Sequence, residues 1–292
     1  MRIGIFGKSL SVDGAIYLQQ FFDKLKNVNC SLIIFEPYLE QIKNKVAIHC
    51  LTNTFNSHEE LRDKADLLFS IGGDGTMLDT IAYVRDSGIP ILGVNLGRLG
   101  FLSSISRDEI LPAIDHVISG NYQLEQRTLL KLTSPAGLFG ELNYALNELS
   151  ITKTDTNSLA VVGVYVNDRF LNTYWADGLI VATPTGSTAY SLSCYGPIIT
   201  PGSENFVITP IASHNLTVRP IVIPDNQEIR LKVGGRNAFY QLGLDSRYQT
   251  ISNTVELTIQ RADFKVNLIQ LPQKDFFSTI REKLLWGKDQ RN

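Results

Sequence analysis

The clearest chemical signal in the sequence is Gly72-Gly73-Asp74-Gly75-Thr76. Glycines permit positive φ and close main-chain approach, so successive N–H groups can converge on a phosphate, helped by the N-terminus of a following helix. A carboxylate among such donors makes electrostatic sense when it addresses a hydroxyl beside the phosphate, taking its proton or holding a ribose. The plainer alternative is a tight turn with Asp74 capping the helix. A second cluster runs from Asp177-Gly178 to Ser193. Around Gly186 it carries five aliphatic hydroxyls, on Thr183, Thr185, Ser187, Thr188 and Ser191, and the phenol of Tyr190. At the start of a short helix these donors suit a ribose or a pyrophosphate; the bland alternative, a solvated Ser/Thr loop, fits poorly between two apolar runs. Asn147-Glu148, read alone, is an exposed edge in a strand-like segment. Asp245-Ser246-Arg247 reads as a turn or as a substrate contact, and the loop Leu96-Gly97-Arg98-Leu99-Gly100-Phe101-Leu102 as a plain connection or a functional one. His49, His58, His116 and His214 include no pair at metal-ligand spacing, and no metal site is expected. His214 reads as a hydrogen-bonded loop histidine. Neither G-x-x-x-x-G-K-[ST] nor G-x-S-x-G occurs.

The elements that must position these residues follow from hydrophobic spacing. Leu67–Ile71, apolar apart from Ser70, is expected to be a strand covered on both faces. Met77, Leu78, Ile81, Ala82 and Tyr83 continue it as a helix. Asp74 then stands outside the carboxyl end of a strand, where open α/β sheets bind ligands. Strands are expected at 2–7, 31–35, 46–51 and 89–95. Helices are expected through Ile16, Leu18, Phe21, Phe22 and Leu25, at 59–64, and at 107–119 with Gly120-Asn121 as stop. This is a doubly wound, Rossmann-like α/β half. From Tyr122 the pattern changes to short β-like runs at 129–133, 146–152, 160–166, 179–182, 221–223, 229–233, 255–259 and 266–271, with hairpin turns at Asn167-Asp168 and at Gly234–Asn237. The expected organisation is an α/β domain over 1–121, a mainly antiparallel β domain over 122–271, and over 272–292 a helix packing back on the first domain through Phe276, Phe277, Ile280, Leu284 and Leu285.

The 292 residues are enough for two domains and a substantial core. With 27 basic and 29 acidic side chains, the formal net charge of -2 leaves no basic footprint, so nucleic acid is not an expected partner. Cys30, Cys50 and Cys194 are odd in number and widely spaced, which suggests neither a disulfide framework nor zinc, and a reducing cytoplasm fits best. The apolar run at the N-terminus is too short for a signal peptide, and no stretch approaches a membrane span.

Taken together and in order, Gly72–Thr76, Asn147-Glu148, Asp177-Gly178, Thr183–Tyr190 and Gly196-Pro197-Ile198 resemble the NAD kinase family. The resemblance spans nearly the whole chain, and Thr-Pro-Thr-Gly-Ser-Thr-Ala-Tyr is its most specific part. It implies phosphoryl transfer from ATP, or in some members polyphosphate, to the 2′-hydroxyl of the adenosine ribose of NAD. A divalent cation, Mg²⁺, is expected, held mainly through the ATP phosphates. The resemblance makes Asp74 the base at the ribose hydroxyl, with Gly72, Gly73, Gly75 and Thr76 forming the phosphate loop. It has Asn147 and Glu148 contact nucleoside groups of NAD, and Asp177, Thr188, Ala189, Tyr190, Ser191, Leu192 and Ser193 line the nicotinamide and ribose side. Ala212 and Arg247 match pocket positions. Trp175 stands where a basic residue is frequent, and Cys194-Tyr195 where small residues are usual. A homodimer or homotetramer is implied, with the site between the domains. The rival readings are a lipid or sugar kinase with the same loop, of which the polar 183–193 run argues against the lipid one, and a non-catalytic NAD-binding module.

Overall fold

Periodicity builds two units in the computed structural model, which describes residues 1–97, 100–103, 105–155, 158–272 and 274–287. One unit is residues 1–126 with the chain from 266 onward; the other is 127–265. In the first, β1 (Arg2–Gly7), α1 (Val12–Lys26), β2 (Ser31–Phe35), α2 (Glu36–Ile42), β3 (Leu51–Phe55), α3 (His58–Leu61), β4 (Leu67–Ile71), α4 (Asp74–Val84), β5 (Ile91–Asn95), β6 (Ile105–Ser106) and α5 (Ile110–Ile118) follow in order. The main strands are parallel, in the order β5-β4-β1-β2-β3. Every residue of β4 is buried. Its one polar side chain, Ser70, hydrogen-bonds Thr80 Oγ1 at 2.8 Å, and Thr80 donates to the Thr76 carbonyl at 2.8 Å. The buried strand is thereby tied to the helix that follows the glycine loop.

Several expectations need correcting. The strand expected at 46–51 lies at Leu51–Phe55. Val46 and Ile48 join the core from a loop, while the edge strand has Leu51 exposed and draws its β preference from Thr52 and Thr54. Ile16 faces solvent, off the buried stripe of Leu18, Phe21, Phe22 and Leu25. The helix expected at 59–64 is a single turn, and that at 107–119 begins with a 3₁₀ turn at Arg107–Glu109. Cys30 and Cys50, remote in sequence, directly precede the register pair Ser31–Leu51. They lie side by side as free thiols; burial and then the Cys50 neighbour push the Cys30 thiol up to about 11.

In the second unit the strands are β7 (Gln123–Ser134), β8 (Tyr144–Ala145), β9 (Glu148–Lys153), β10 (Ala160–Val166), β11 (Arg169–Ala176) and β12 (Gly178–Ala182). After the short helix α6 (Tyr190–Ser193) come β13 (Asn205–Ile211), β14 (Ile221–Pro224), β15 (Ile229–Gly234), β16 (Phe239–Leu244), β17 (Arg247–Ser252) and β18 (Glu256–Gln270). One antiparallel sheet runs β14-β13-β12-β9-β16-β17, and another layer contains β11-β10-β15-β18. Ile151, Leu179, Phe206 and Leu242 of the first share a core with Val162, Leu231 and Ile259 of the second. Asn167 and Asp168, at φ 47° and 62°, make the expected hairpin turn. Gly234–Asn237 does not: β15 pairs with β10 and β18, whereas β16 pairs with β9 and β17, so the chain changes sheets there.

The runs at 255–259 and 266–271 are one strand, β18. The polar residues between them alternate on its exposed side and break the apolar run without breaking the strand. The division falls after Gln126 and Lys265, inside β7 and β18, where the expected boundaries were 121 and 271. The C-terminal helix α7 (Phe276–Leu284) belongs to the first unit, opened by an Asp275–Ser278 capping box and anchored by Lys274 to Glu109 at 2.7 Å. Of its expected apolar side only Ile280 is buried; Phe277, Leu284 and Leu285 are exposed. Among the described residues no helix is long and apolar enough to cross a membrane.

Candidate active site

In the first unit the glycine loop leaves the end of β4 with Gly72 at φ 151° and Gly73 as N-cap of α4. Asp74 is the first residue of that helix, and the cap is made without its side chain. Its carboxylate turns instead to the loop after β5. Oδ2 accepts from the Phe101 N–H at 2.8 Å, and Oδ1 from those of Leu102 and Ser103, each at 3.0 Å. An ionised carboxylate has about four acceptor positions. Among the described residues three are taken, all by main-chain donors, which leaves one on Oδ2. Gly100 is required for this approach, since a Cβ there would stand 1.8 Å from Asp74 Oδ1. Gly93 similarly accommodates Ser103, whose Cα would lie 2.8 Å from any Cβ added at Gly93. The loop after β5 thus holds the Asp74 carboxylate through Phe101, Leu102 and Ser103; Arg98 and Leu99 lie outside the described residues.

The glycines divide their roles. Gly72 N–H donates to Val94 O at 2.8 Å, and a Cβ on Gly72 would meet Thr76 Oγ1 at 2.3 Å, so Gly72 and the Thr76 side chain form the turn rather than a phosphate contact. Gly75 is exposed with open space beside its Cα. The amides that begin α4, at Gly73–Gly75, therefore remain the expected phosphate donors.

The second unit gathers Asn147, Glu148, Asp245 and the Thr-Gly-Ser turn. Asn147-Glu148 is no exposed edge: β9 lies between β12 and β16, Asn147 is buried, and Glu148 is half-buried. Asp245 turns the β16–β17 hairpin at φ 51° and accepts from the N–H groups of Leu146 and Asn147 at 2.8 Å and of Glu148 at 3.2 Å. Burial raises its carboxyl despite these donors. Burial and the Asp245 charge push Glu148 up to about 8, opposed by the Tyr190 N–H, and Glu148 Oε2 is buried without a hydrogen-bond partner. At neutral pH this carboxyl carries a proton and can donate as well as accept.

The hydroxyl-rich run is mostly occupied with its own fold. Thr183 donates to the Leu146 carbonyl and accepts from the Gly186 N–H; Ser187 donates to Pro184 O at 2.6 Å and accepts from Ile199 N–H at 2.9 Å. Ser191 bonds Thr209 at 2.9 Å, and Thr185 receives Arg127 at 3.3 Å. Buried hydroxyls must find partners, and here they find them in the turn itself and in the segments packed against it. A Cβ on Gly186 would stand 2.1 Å from Asn147 O, so this glycine is what lets the turn lie against Asn147. The expected lining is reduced accordingly: Ser191 presents no free hydroxyl, while Thr188, Ala189, Tyr190, Leu192 and Ser193 are accessible. Asp177 pairs with Lys153 at 2.6 Å. Ala212 is exposed in a left-handed conformation at φ 45°, a strained state for alanine. Arg247 donates from its guanidinium to the carbonyls of Leu142 and Tyr144, which fixes the side chain. Trp175 and Tyr195 are exposed. The sequence marked Asp245-Ser246-Arg247 as a turn, which it is, and the 96–102 loop as a connection or a functional one, but not the grip of Asp74 on the Phe101–Ser103 amides or of Asp245 on those of Leu146–Glu148. Among the described residues no three His, Cys, Asp or Glu side chains gather as a metal site.

A parallel α/β unit with an amide-held carboxylate in a glycine loop at a strand end, and a β unit in which Asn147, Glu148 and the 183–193 turn come together, have the make-up of a phosphotransferase. The ATP-NAD kinase N-terminal domain profile matches residues 17–122 and the ATP-NAD kinase C-terminal domain profile residues 146–271. A NAD kinase of Flavobacterium johnsoniae is 45% identical over 294 residues, and one of Cytophaga hutchinsonii 42% over 293, each match covering 100% of both chains. The crystal structure of yeast NADH kinase complexed with NADH superposes with a TM-score of 0.87 at 25% identity, covering 99% of this chain and 89% of that one. An Archaeoglobus fulgidus NAD kinase solved with ATP shares the fold, with a TM-score of 0.73 at 22% identity, over 98% of this chain and 99% of that one. The chain belongs to the NAD kinase family.

Proposed function

We propose that the chain transfers the terminal phosphoryl group of ATP to the 2′-hydroxyl of the adenosine ribose of NAD, giving NADP. The observation that carries the reading is Asp74, with a carboxylate oriented by three main-chain donors and one acceptor position left at the mouth of a glycine loop. That position suits a ribose hydroxyl. Phosphoryl transfer depends on in-line positioning and charge neutralisation, and in a loose transition state the hydroxyl proton leaves late, so a well-oriented carboxylate suffices. The amides at the start of α4 receive the donor phosphates. In the second unit Asn147, the protonated Glu148, Asp177 and the accessible residues from Thr188 to Ser193 recognise NAD.

A Mg²⁺ ion supplies neutralisation of the phosphate charge when bound. With no acidic cluster among the described residues and Asp74 largely committed to amides, the donor set fits a cation carried by the ATP phosphates. The same reading includes a homodimer or homotetramer, supported by exposed Phe170, Trp175, Leu216 and Val222, and a reducing cytoplasmic setting, supported by three free thiols. Incubation with ATP, Mg²⁺ and NAD, coupled to an NADP-specific dehydrogenase, is expected to produce NADPH. Absence of signal while NAD still binds would reduce the protein to a binding module.

A further inference from the structure

A second charged group stands at the mouth of the glycine loop. β1 and β4 are parallel neighbours with Gly7 opposite Ile71, so Lys8 and Gly72 are the next residues out of the sheet on the same edge. The main chain is fixed there, because the Lys8 carbonyl accepts from Gln41 Nε2 at 2.8 Å. The Lys8 side chain stays 55% exposed and pairs its ammonium with Asp79 on α4. Asp79 follows Gly75 by four residues, so the two share a helix face about 5–6 Å apart. Gly75 leaves open space on that face. The residue that holds the ammonium therefore stands about one helical turn along α4 from the amides that begin it, and the Lys8 charge is felt at Tyr83, a turn further on.

We propose that Lys8 contacts a phosphate of the phosphoryl donor bound at the start of α4, with Asp79 as the positioning residue that keeps the ammonium beside the loop. The inference rests on the kinase reading above. Helix amides supply only partial positive charge, about half an elementary charge in sum. A triphosphate brings several negative charges, and an ammonium on a flexible four-carbon stem can follow the phosphoryl group as it moves. Lys8 donates N–H···O hydrogen bonds, and its proton stays on nitrogen. The competing account is a surface ion pair joining β1 to α4, of a kind that contributes little.

Three variants separate the two accounts. Lys8→Met removes the ammonium, Lys8→Arg keeps a cation, and Asp79→Asn breaks the pair but keeps the ammonium on the chain, free to follow a phosphate. A phosphate contact predicts that Lys8→Met lowers kcat/KM for ATP about 10–100-fold, the range of a charge-assisted hydrogen bond. The KM for NAD stays unchanged, Lys8→Arg recovers part of the loss, and Asp79→Asn loses far less than Lys8→Met. A plain ion pair predicts that Lys8→Met and Asp79→Asn behave alike, with effects confined to melting temperature. Calorimetric titration gives a readout independent of turnover: Lys8→Met weakens binding of a non-hydrolysable ATP analogue and spares adenosine. Equal affinity of the wild type and Lys8→Met for the analogue overturns the inference. A wild type that binds the analogue but makes no NADP overturns the kinase reading instead, and the titration still decides on Lys8.

Discussion

Each unit contains an aspartate that captures three successive main-chain N–H groups, Asp74 those of 101–103 and Asp245 those of 146–148. Asp74 is partly exposed, flanked by an open Gly75 and by Gly100, which has no side chain to crowd it. Asp245 is enclosed in a hairpin, and its charge is felt by Glu148, whose carboxyl is held neutral. The same three-donor grip thus orients a carboxylate toward an incoming group in one unit, while in the other it fixes the main chain beneath a neighbouring acid. What separates the two uses is whether an acceptor position remains accessible.

The sharpest way to break this comparison is Asp74→Asn. Turnover is expected to fall by orders of magnitude, at least the roughly 10²-fold typical of losing a positioned general base, with NAD binding retained. The amide group of asparagine cannot accept from all three N–H donors, so hydrogen exchange at Phe101–Ser103 is expected to accelerate too. Near-normal turnover would remove Asp74 from the chemistry. Asp245→Asn is next in size. An amide placed against the Leu146 or Glu148 N–H leaves a buried donor unmatched, at a cost of about 1–3 kcal/mol, seen as a lower denaturation midpoint. An unchanged midpoint would mean that the hairpin does not depend on this grip.

The last test concerns Glu148 and is read in how stability changes with pH. Its folded-state carboxyl lies at about 8 against an ordinary 4.5, so the unfolded chain releases its proton over an interval in which the folded chain keeps it. This group therefore contributes a loss of stability as pH rises from about 4.5 to about 8. Glu148→Gln removes that contribution, so its thermal midpoint is expected to fall less than the wild type's between pH 5 and pH 8. Parallel profiles would show that Glu148 titrates normally.

Much of the fold was legible because it is written at short range. Leu67–Ile71 followed by glycines and a 3.6-residue apolar spacing names strand, loop and helix, and Ala160–Val166 with Asn167-Asp168 names a hairpin. Failures occurred where local pattern and tertiary placement part company. β18 reads as two strands because its middle is polar on an exposed side, and Gly234–Asn237 carries hairpin residues yet connects different sheets. The hydroxyls from Thr183 to Ser191 were legible as a cluster, but their buried hydrogen bonds to Leu146, Ile199 and Thr209 were not.

By itself the sequence determined the two kinds of unit, the glycine-Asp loop at a strand end and, through its ordered motifs, the family. Those depend on period, residue type and turn chemistry, all properties of neighbours along the chain. Tertiary structure alone decided that Asp74 faces the amides of 101–103 instead of capping its helix, that Asn147-Glu148 sits at a sheet's centre, and that Asp245 lies beneath it. The physical reason is the same each time: which N–H groups reach a carboxylate, and how much water reaches a carboxyl, depend on segments distant in sequence that only the folded sheets bring together.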